Sequence, residues 1–117
     1  MSQDTLIPQD LIDALLANGQ ASLDGRDDDP VPVVKLFTPD GAATWLLTEM
    51  DPRDADLAFG LCDLGQGFPE LGYVRLSEIQ AVRGPLGLPV ERDVWFQTDQ
   101  ALSVFARVAR LAGRVVT

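Results

Sequence analysis

The sequence has no histidine and a single cysteine. Without imidazole there is no histidine-based triad, no histidine metal site and no side chain that ordinarily titrates near neutrality. One thiol makes neither an internal disulfide nor a cysteine zinc cluster. Leu61, Asp63 and Leu64, the neighbours of Cys62, offer nothing to stabilise a thiolate, and the carboxylate opposes one, so the residue reads as a structural thiol. No apolar run approaches the roughly 20 residues of a membrane helix. The opening MSQDTLIPQD lacks the basic region and apolar core of a secretory signal. The expectation is a cytoplasmic protein with no membrane contact. No dinucleotide fingerprint or phosphate loop occurs: Gly65 and Gly67 lack a third glycine, a following lysine and a following helix. No cofactor is expected.

Positive charge is also scarce, with 9 Lys and Arg against 18 Asp and Glu and a net charge of −9. The imbalance lies wholly in the first half. From Met1 to Phe59 only Arg26, Lys35 and Arg53 oppose Asp4, Asp10, Asp13, Asp24, Asp27, Asp28, Asp29, Asp40, Glu49, Asp51, Asp54 and Asp56, whereas from Gly60 onward acids and bases balance. Nucleic-acid affinity rests on Lys and Arg releasing counterions, so direct binding to nucleic acid is disfavoured. Net acidity serves solubility in one reading. In the other, acidic side chains occupy the basic groove of another protein.

What is present is the material of one compact domain. With 117 residues, 46% of them hydrophobic, the chain can bury roughly two thirds of its unfolded surface. The stretch from Val31 to Tyr73 holds nearly all of the strand-like alternation. Pro8 to Ala17 reads as a first helix, with Leu11, Ile12, Leu15 and Leu16 at helical spacing and Asn18-Gly19 as its stop. Gln20 to Asp29 reads as a mobile connector, whose Asp27-Asp28-Asp29 run is a solvated loop before it is a cation site.

Val31 to Phe37 reads as a strand, joined through Pro39-Asp40-Gly41 to a partner at Ala43 to Glu49. In that partner Ala43, Trp45 and Leu47 share one face, and Thr44, Leu46 and Thr48 the other. Leu57 to Asp63 and Leu71 to Leu76 are further strands, with Tyr73 and Arg75 on one face. Ser77 and Gln80 form a capping-box pattern for a short helix through Val82, closed at Gly84. The apolar loop from Pro85 to Pro89 must lie on something. Glu91 to Gln97 alternates as a fifth strand. Thr98 caps the longest helix, Asp99 to Ala112, with a stripe of Ala101, Val104, Phe105, Val108, Leu111 and Ala112 and with Arg107, Arg110 and Arg114 opposite.

The fold class is therefore α+β: an antiparallel sheet of four to five strands covered by an N-terminal helix, a short middle helix and a longer C-terminal helix. It forms a single domain over 1–117, with the helix and acidic connector in 1–30, the sheet in 31–97 and the last helix in 98–117.

Carboxylates are the only general acids or bases available. Glu49, Asp51, Asp54, Asp56, Asp63 and Glu70 sit near strand ends and turns, where they could meet a metal ion or small ligand, although turn chemistry and solvation explain them as well. The more suggestive group is aromatic: Phe68, Glu70 and Tyr73 follow the glycine turn, and exposed aromatics on a preformed turn anchor protein partners. Trp45 and Phe59 read as core. Phe68 and Tyr73 fit the core or a partner contact equally. The partner-binding residues expected from the sequence are thus Glu49, Asp51, Asp54, Asp56, Phe68, Glu70 and Tyr73, with no catalytic residue and no metal ligand among them.

The runs PVVKLFTPDGAATWLLTEMDP, AFGLCDLGQGFPELGYVRLSEI and RGPLGLPVERDVWF, within Val31 to Phe96, resemble the DUF2958 family, bacterial proteins of unknown function encoded largely on plasmids and integrative elements. The resemblance carries no functional residue across. It implies a setting: small acidic proteins of mobile elements often protect those elements from host defences by mimicking DNA or blocking a nuclease. The expected function is therefore a protein-binding adaptor or inhibitor rather than an enzyme, with a host nuclease or CRISPR effector as partner. A carboxylate-dependent small-ligand or metal-binding domain is the alternative. A homodimer built on the long helix or an edge strand is a further arrangement.

Overall fold

The computed structural model describes residues 6–26 and 29–117. Its elements are α1 (Gln9–Leu23), β1 (Val34–Phe37), β2 (Thr44–Asp51), β3 (Asp54–Asp63), β4 (Glu70–Arg75), α2 (Leu76–Ala81), β5 (Glu91–Arg92) and α3 (Leu102–Ala112). The strands form one antiparallel sheet in the order β4-β3-β2-β1-β5. The expected α+β class holds, with all five strands and three helices.

Both faces of the sheet are covered, so the central strand β2 is apolar on both sides. Trp45 and Leu47 point to the face closed by α1 and α2, where they meet Leu15, Val34, Leu36, Ala58 and Ile79. Leu46 points to the opposite face with Leu61, against Leu102, Ala106 and Ala109 of α3. Each such buried aliphatic stabilises the fold by about 1.5–3 kcal/mol relative to exposure.

Helix α1 does not stop at Asn18-Gly19 but runs on to Leu23. Gly19 is there for proximity: a Cβ on it would lie 1.8 Å from the Met50 carbonyl oxygen. Asn18 donates from Nδ2 to the Thr48 carbonyl at 2.9 Å, at the place where the β2–β3 register shifts between Leu47 and Glu49. A residue pair that ordinarily ends a helix here docks one, and the connector expected from Gln20 is helical as far as Leu23. Asp27 and Asp28 lie outside the described residues.

β1 begins only at Val34, whereas β2 and β3 extend toward each other and leave Pro52-Arg53 as a two-residue turn. β4 starts and ends one residue before the expected strand. The expected fifth strand shrinks to Glu91–Arg92. The chain turns at 94–95, where the Asp93 carboxylate accepts the Trp95 N–H at 2.9 Å, and Trp95 stands 88% exposed. The apolar loop, expected to lie on something, is exposed throughout, with Leu86 at 80%; it is held by its backbone instead, since Asp40 Oδ2 accepts the N–H groups of Leu86 at 2.7 Å and Leu88 at 3.3 Å.

α2 starts at Leu76, one residue early, because its first turn is capped by Glu78, which accepts the Arg75 N–H at 3.3 Å. Ser77 is engaged elsewhere. α3 is shorter than expected and begins at Leu102, so α1 is the longest helix. Thr98 accepts the Gln100 N–H in the approach to α3. The cap itself comes from Asp29, whose carboxylate accepts both the N–H and the hydroxyl of Ser103. The buried stripe of α3 is also rotated from the expected one: Leu102, Ala106 and Ala109 face the sheet, while Leu111 is 85% exposed. Alanines let the helix approach closely, while Phe105 packs only partly against this cluster and Val108 and Leu111 fall outside. Gly113 closes the helix in the left-handed region at φ 76°.

Candidate functional site

The candidate residues surround the β2–β3 turn and the free edge of β4. Asp51 begins the turn. Its Oδ1 accepts the Arg53 backbone N–H at 2.8 Å, and the guanidinium closes on both carboxylate oxygens, with Nε to Oδ1 at 3.1 Å and Nη2 to Oδ2 at 3.0 Å. This side-chain bonding to Arg53 holds the Asp51 carboxyl below its usual range and raises Arg53 in turn.

Asp54 and Asp56 open β3 and face the β4–α2 junction. Arg75 Nη1 reaches Asp54 Oδ2 at 3.0 Å and Asp56 Oδ2 at 3.7 Å. Asp56 also accepts the Ser77 hydroxyl at 2.7 Å and its N–H at 2.9 Å. The hydroxyl bond is the first cause that keeps the Asp56 carboxyl below its ordinary value. Glu49 accepts the Ser22 hydroxyl of α1 at 2.9 Å. All four acids are therefore engaged by the chain's own donors.

The aromatic part lies beside them. Gly65 and Gly67, both with positive φ, turn the chain so that Phe68 is 80% exposed. Tyr73, at 67% exposure, packs edge-on against Phe59 with ring centroids 5.0 Å apart. Phe59 itself is only partly buried, against the α3 cluster, while Trp45 is core as expected. Two hollows meet at Tyr73. One, of 160 Å³, is lined by Glu49, Asp51, Arg53, Leu57 and Phe59; the other, of 420 Å³, by Trp45, Cys62, Leu64, Phe68 and Glu70. Burial pushes the Cys62 thiol up to about 11.

The fold brings Glu49, Asp51 and Tyr73 round one hollow and Phe68, Glu70 and Tyr73 round the other, while Asp54 and Asp56 sit at the end of β3 away from the turn that carries Phe68. Asp63, considered with them in the sequence, lies apart: it is buried and accepts the N–H groups of Gly65 at 2.8 Å and Val115 at 2.9 Å. Sequence reasoning missed Arg53 and Arg75 as parts of the site. The available signal for Arg75 was its shared face with Tyr73, one strand away from the acids. No group of three or more His, Cys, Asp or Glu that could hold a metal occurs among the described residues, and no helix among them is long and apolar enough to cross a membrane.

The family model described as "Protein of unknown function (DUF2958)" matches residues 6–116. The chain belongs to this family. The match reaches well beyond Val31 to Phe96 and takes in α1 and α3, so the helices that close both faces of the sheet are part of the family's pattern. No curated protein and no solved structure matches the chain.

Proposed function

We propose that this DUF2958 member is a small acidic protein-binding module, carried by a mobile genetic element and acting in the cytoplasm without turnover, that occupies a basic, DNA-binding surface of a host nuclease or CRISPR effector. The observation that supports this reading is the shared border: Tyr73 lines one hollow with Glu49 and Asp51 and another with Phe68 and Glu70, and its strand neighbour Arg75 is tied to Asp54 and Asp56. Carboxylates flank exposed aromatic rings, as an anchor with a charged rim requires.

The test is inhibition of purified restriction endonucleases and CRISPR effectors cutting plasmid DNA. Added protein should slow cleavage by a susceptible enzyme, and the effect should fall steeply with salt, since screening limits surface charge to a reach of about 10 Å at 0.1 M. Phe68→Ala should weaken it further. Uninhibited cleavage by every enzyme tried, with no effect on plasmid establishment in hosts carrying those systems, would overturn the proposal.

The carboxylate-dependent reading has less behind it. Glu49 and Asp51 do share a hollow, but at 160 Å³ it is smaller than the roughly 300 Å³ of ordinary ligand pockets.

A further inference from the structure

In an antiparallel sheet the N–H and C=O of one residue point to the same neighbouring strand, and the direction alternates along the chain. Thr38 donates to Ala43 and Asp93 to Lys35, which turns Leu36 toward β2 and Lys35 toward β5. Carried through the pairs Leu36 with Trp45 and Leu46 with Leu61, the alternation turns Leu61 toward β2 and Gly60 and Cys62 toward β4. The last two meet Gly72 and Glu70. Leu71 and Tyr73 therefore direct their N–H and C=O groups away from the sheet. Their side chains, 45% and 67% exposed, share the face of Phe59 and Leu61, with which they pair.

Natural sheets guard such an edge with lysine, a bulge or a very short strand. The opposite edge follows this rule, since β5 has two residues. β4 has six, and its two charged residues, Glu70 and Arg75, stand at its ends and leave the middle unguarded.

We propose that two copies of this chain pair through β4, antiparallel about a two-fold axis at Gly72, joining two five-stranded sheets into one. A two-fold contact requires the strand to complement itself, and this register does. Leu71 meets the partner's Tyr73 and Tyr73 meets the partner's Leu71, each pair exchanging both backbone hydrogen bonds and closing the exposed side chains on one another. The ladder ends cleanly at the next outward position, where Arg75 faces the partner's Pro69: proline has no N–H, and the Arg75 N–H is already given to Glu78. Between them Gly72 meets the partner's Gly72, and nothing lies within 4 Å of a Cβ built there.

The inference does not depend on the reading above. It takes Tyr73 into the self-contact, so the two readings share that residue, while Glu49, Asp51, Asp54 and Asp56, partly buried and held by the chain's own donors, take no part in the ladder. Its salt dependence has the opposite sign. Two chains of net charge −9 repel, and the contact is backbone and apolar, so salt should strengthen the dimer while it weakens acidic docking.

The experiment is sedimentation of the purified chain alone, across protein concentration and salt. The expected mass is twice 12.7 kDa, falling to that of one chain in the double variant Leu71→Lys/Tyr73→Lys with its circular dichroism unchanged. In a Cys62→Ser background, Gly72→Cys should cross-link on mild oxidation, because facing residues of a non-hydrogen-bonded pair sit about 4.5 Å apart, within disulfide reach. Tyr73→Cys in the same background should not. A single-chain mass at every concentration, a dimer that survives the double lysine variant, or cross-linking by Tyr73→Cys in place of Gly72→Cys would each overturn the proposal.

Discussion

Helix α1 comes so close to the sheet that Gly19 touches the Met50 carbonyl, whereas α3, on the other face, shows the sheet alanines and hangs from two carboxylates that belong elsewhere in the chain. Asp29 holds the start of α3 through Ser103, and Asp63 holds the segment after it through Val115. α1 meets β2 backbone against backbone, and Asn18 and Ser22 add bonds to Thr48 and Glu49 within that close contact. α3 joins the sheet from far along the sequence and is held by directional, charge-assisted bonds, which are roughly twice as strong as neutral ones. The difference teaches that part of the acidity of this chain is structural: the same residue type that suggests a docking surface also fastens one helix.

Four changes break or sharpen this contrast. Gly19→Ala should have the largest effect, about 3 kcal/mol of lost stability in urea unfolding, because the added methyl meets backbone. In an ordinary helix the same change would stabilise by up to about 1 kcal/mol, so the sign of the result decides whether shape docks α1. Asp63→Ala should cost about 3 kcal/mol, since the buried Val115 N–H and the more exposed Gly65 N–H lose a charged acceptor, and hydrogen exchange at Val115 should accelerate. Asp29→Ala removes a cap and should cost about 1 kcal/mol, with fraying confined to the first turn of α3. Trp95→Ala should fall within about 0.5 kcal/mol of no change, because that side chain stands in solvent on neither docking surface.

The acidic turn supplies the smallest effect, and its sign can be worked out. Asp51 and Asp56 are held below the ordinary aspartate range when folded, by Arg53 and by Ser77 respectively. Their contribution is therefore complete above the unfolded value of about 3.9 and is lost as pH falls through the lower folded values. Asp51→Asn and Asp56→Asn should flatten the loss of stability below about pH 4 and lower stability slightly at neutrality, as followed by thermal unfolding at stepped pH.

Much of the sheet was legible because alternation with period two survives burial on both faces. Trp45 and Leu47 against Leu46 is the pattern that the two cores display. The helix ends were not legible. Asn18-Gly19 carries the local signal of a stop, and only the Met50 carbonyl, thirty-odd residues away, explains why the helix continues. Thr98 looked like the cap of α3 because a local hydroxyl was the visible candidate, whereas the acceptor that caps it is Asp29. The stripe of α3 was misplaced for a related reason: ranking positions by size favours Leu111, but close packing on a flat sheet selects Ala106 and Ala109. At the candidate site the acids and aromatics were readable one by one. Arg53 and Arg75, which bind those acids, became visible only when β3 and β4 were laid side by side.

The thiol of Cys62, packed against the core that α1 and α2 close, offers a clock for that core. Burial holds its pKa well above the ordinary thiol value, so an alkylating reagent reacts slowly while the fold stays closed. Each transient opening of that core would return the sulfur toward ordinary acidity, and the labelling rate would then count those openings without a probe being added to the chain.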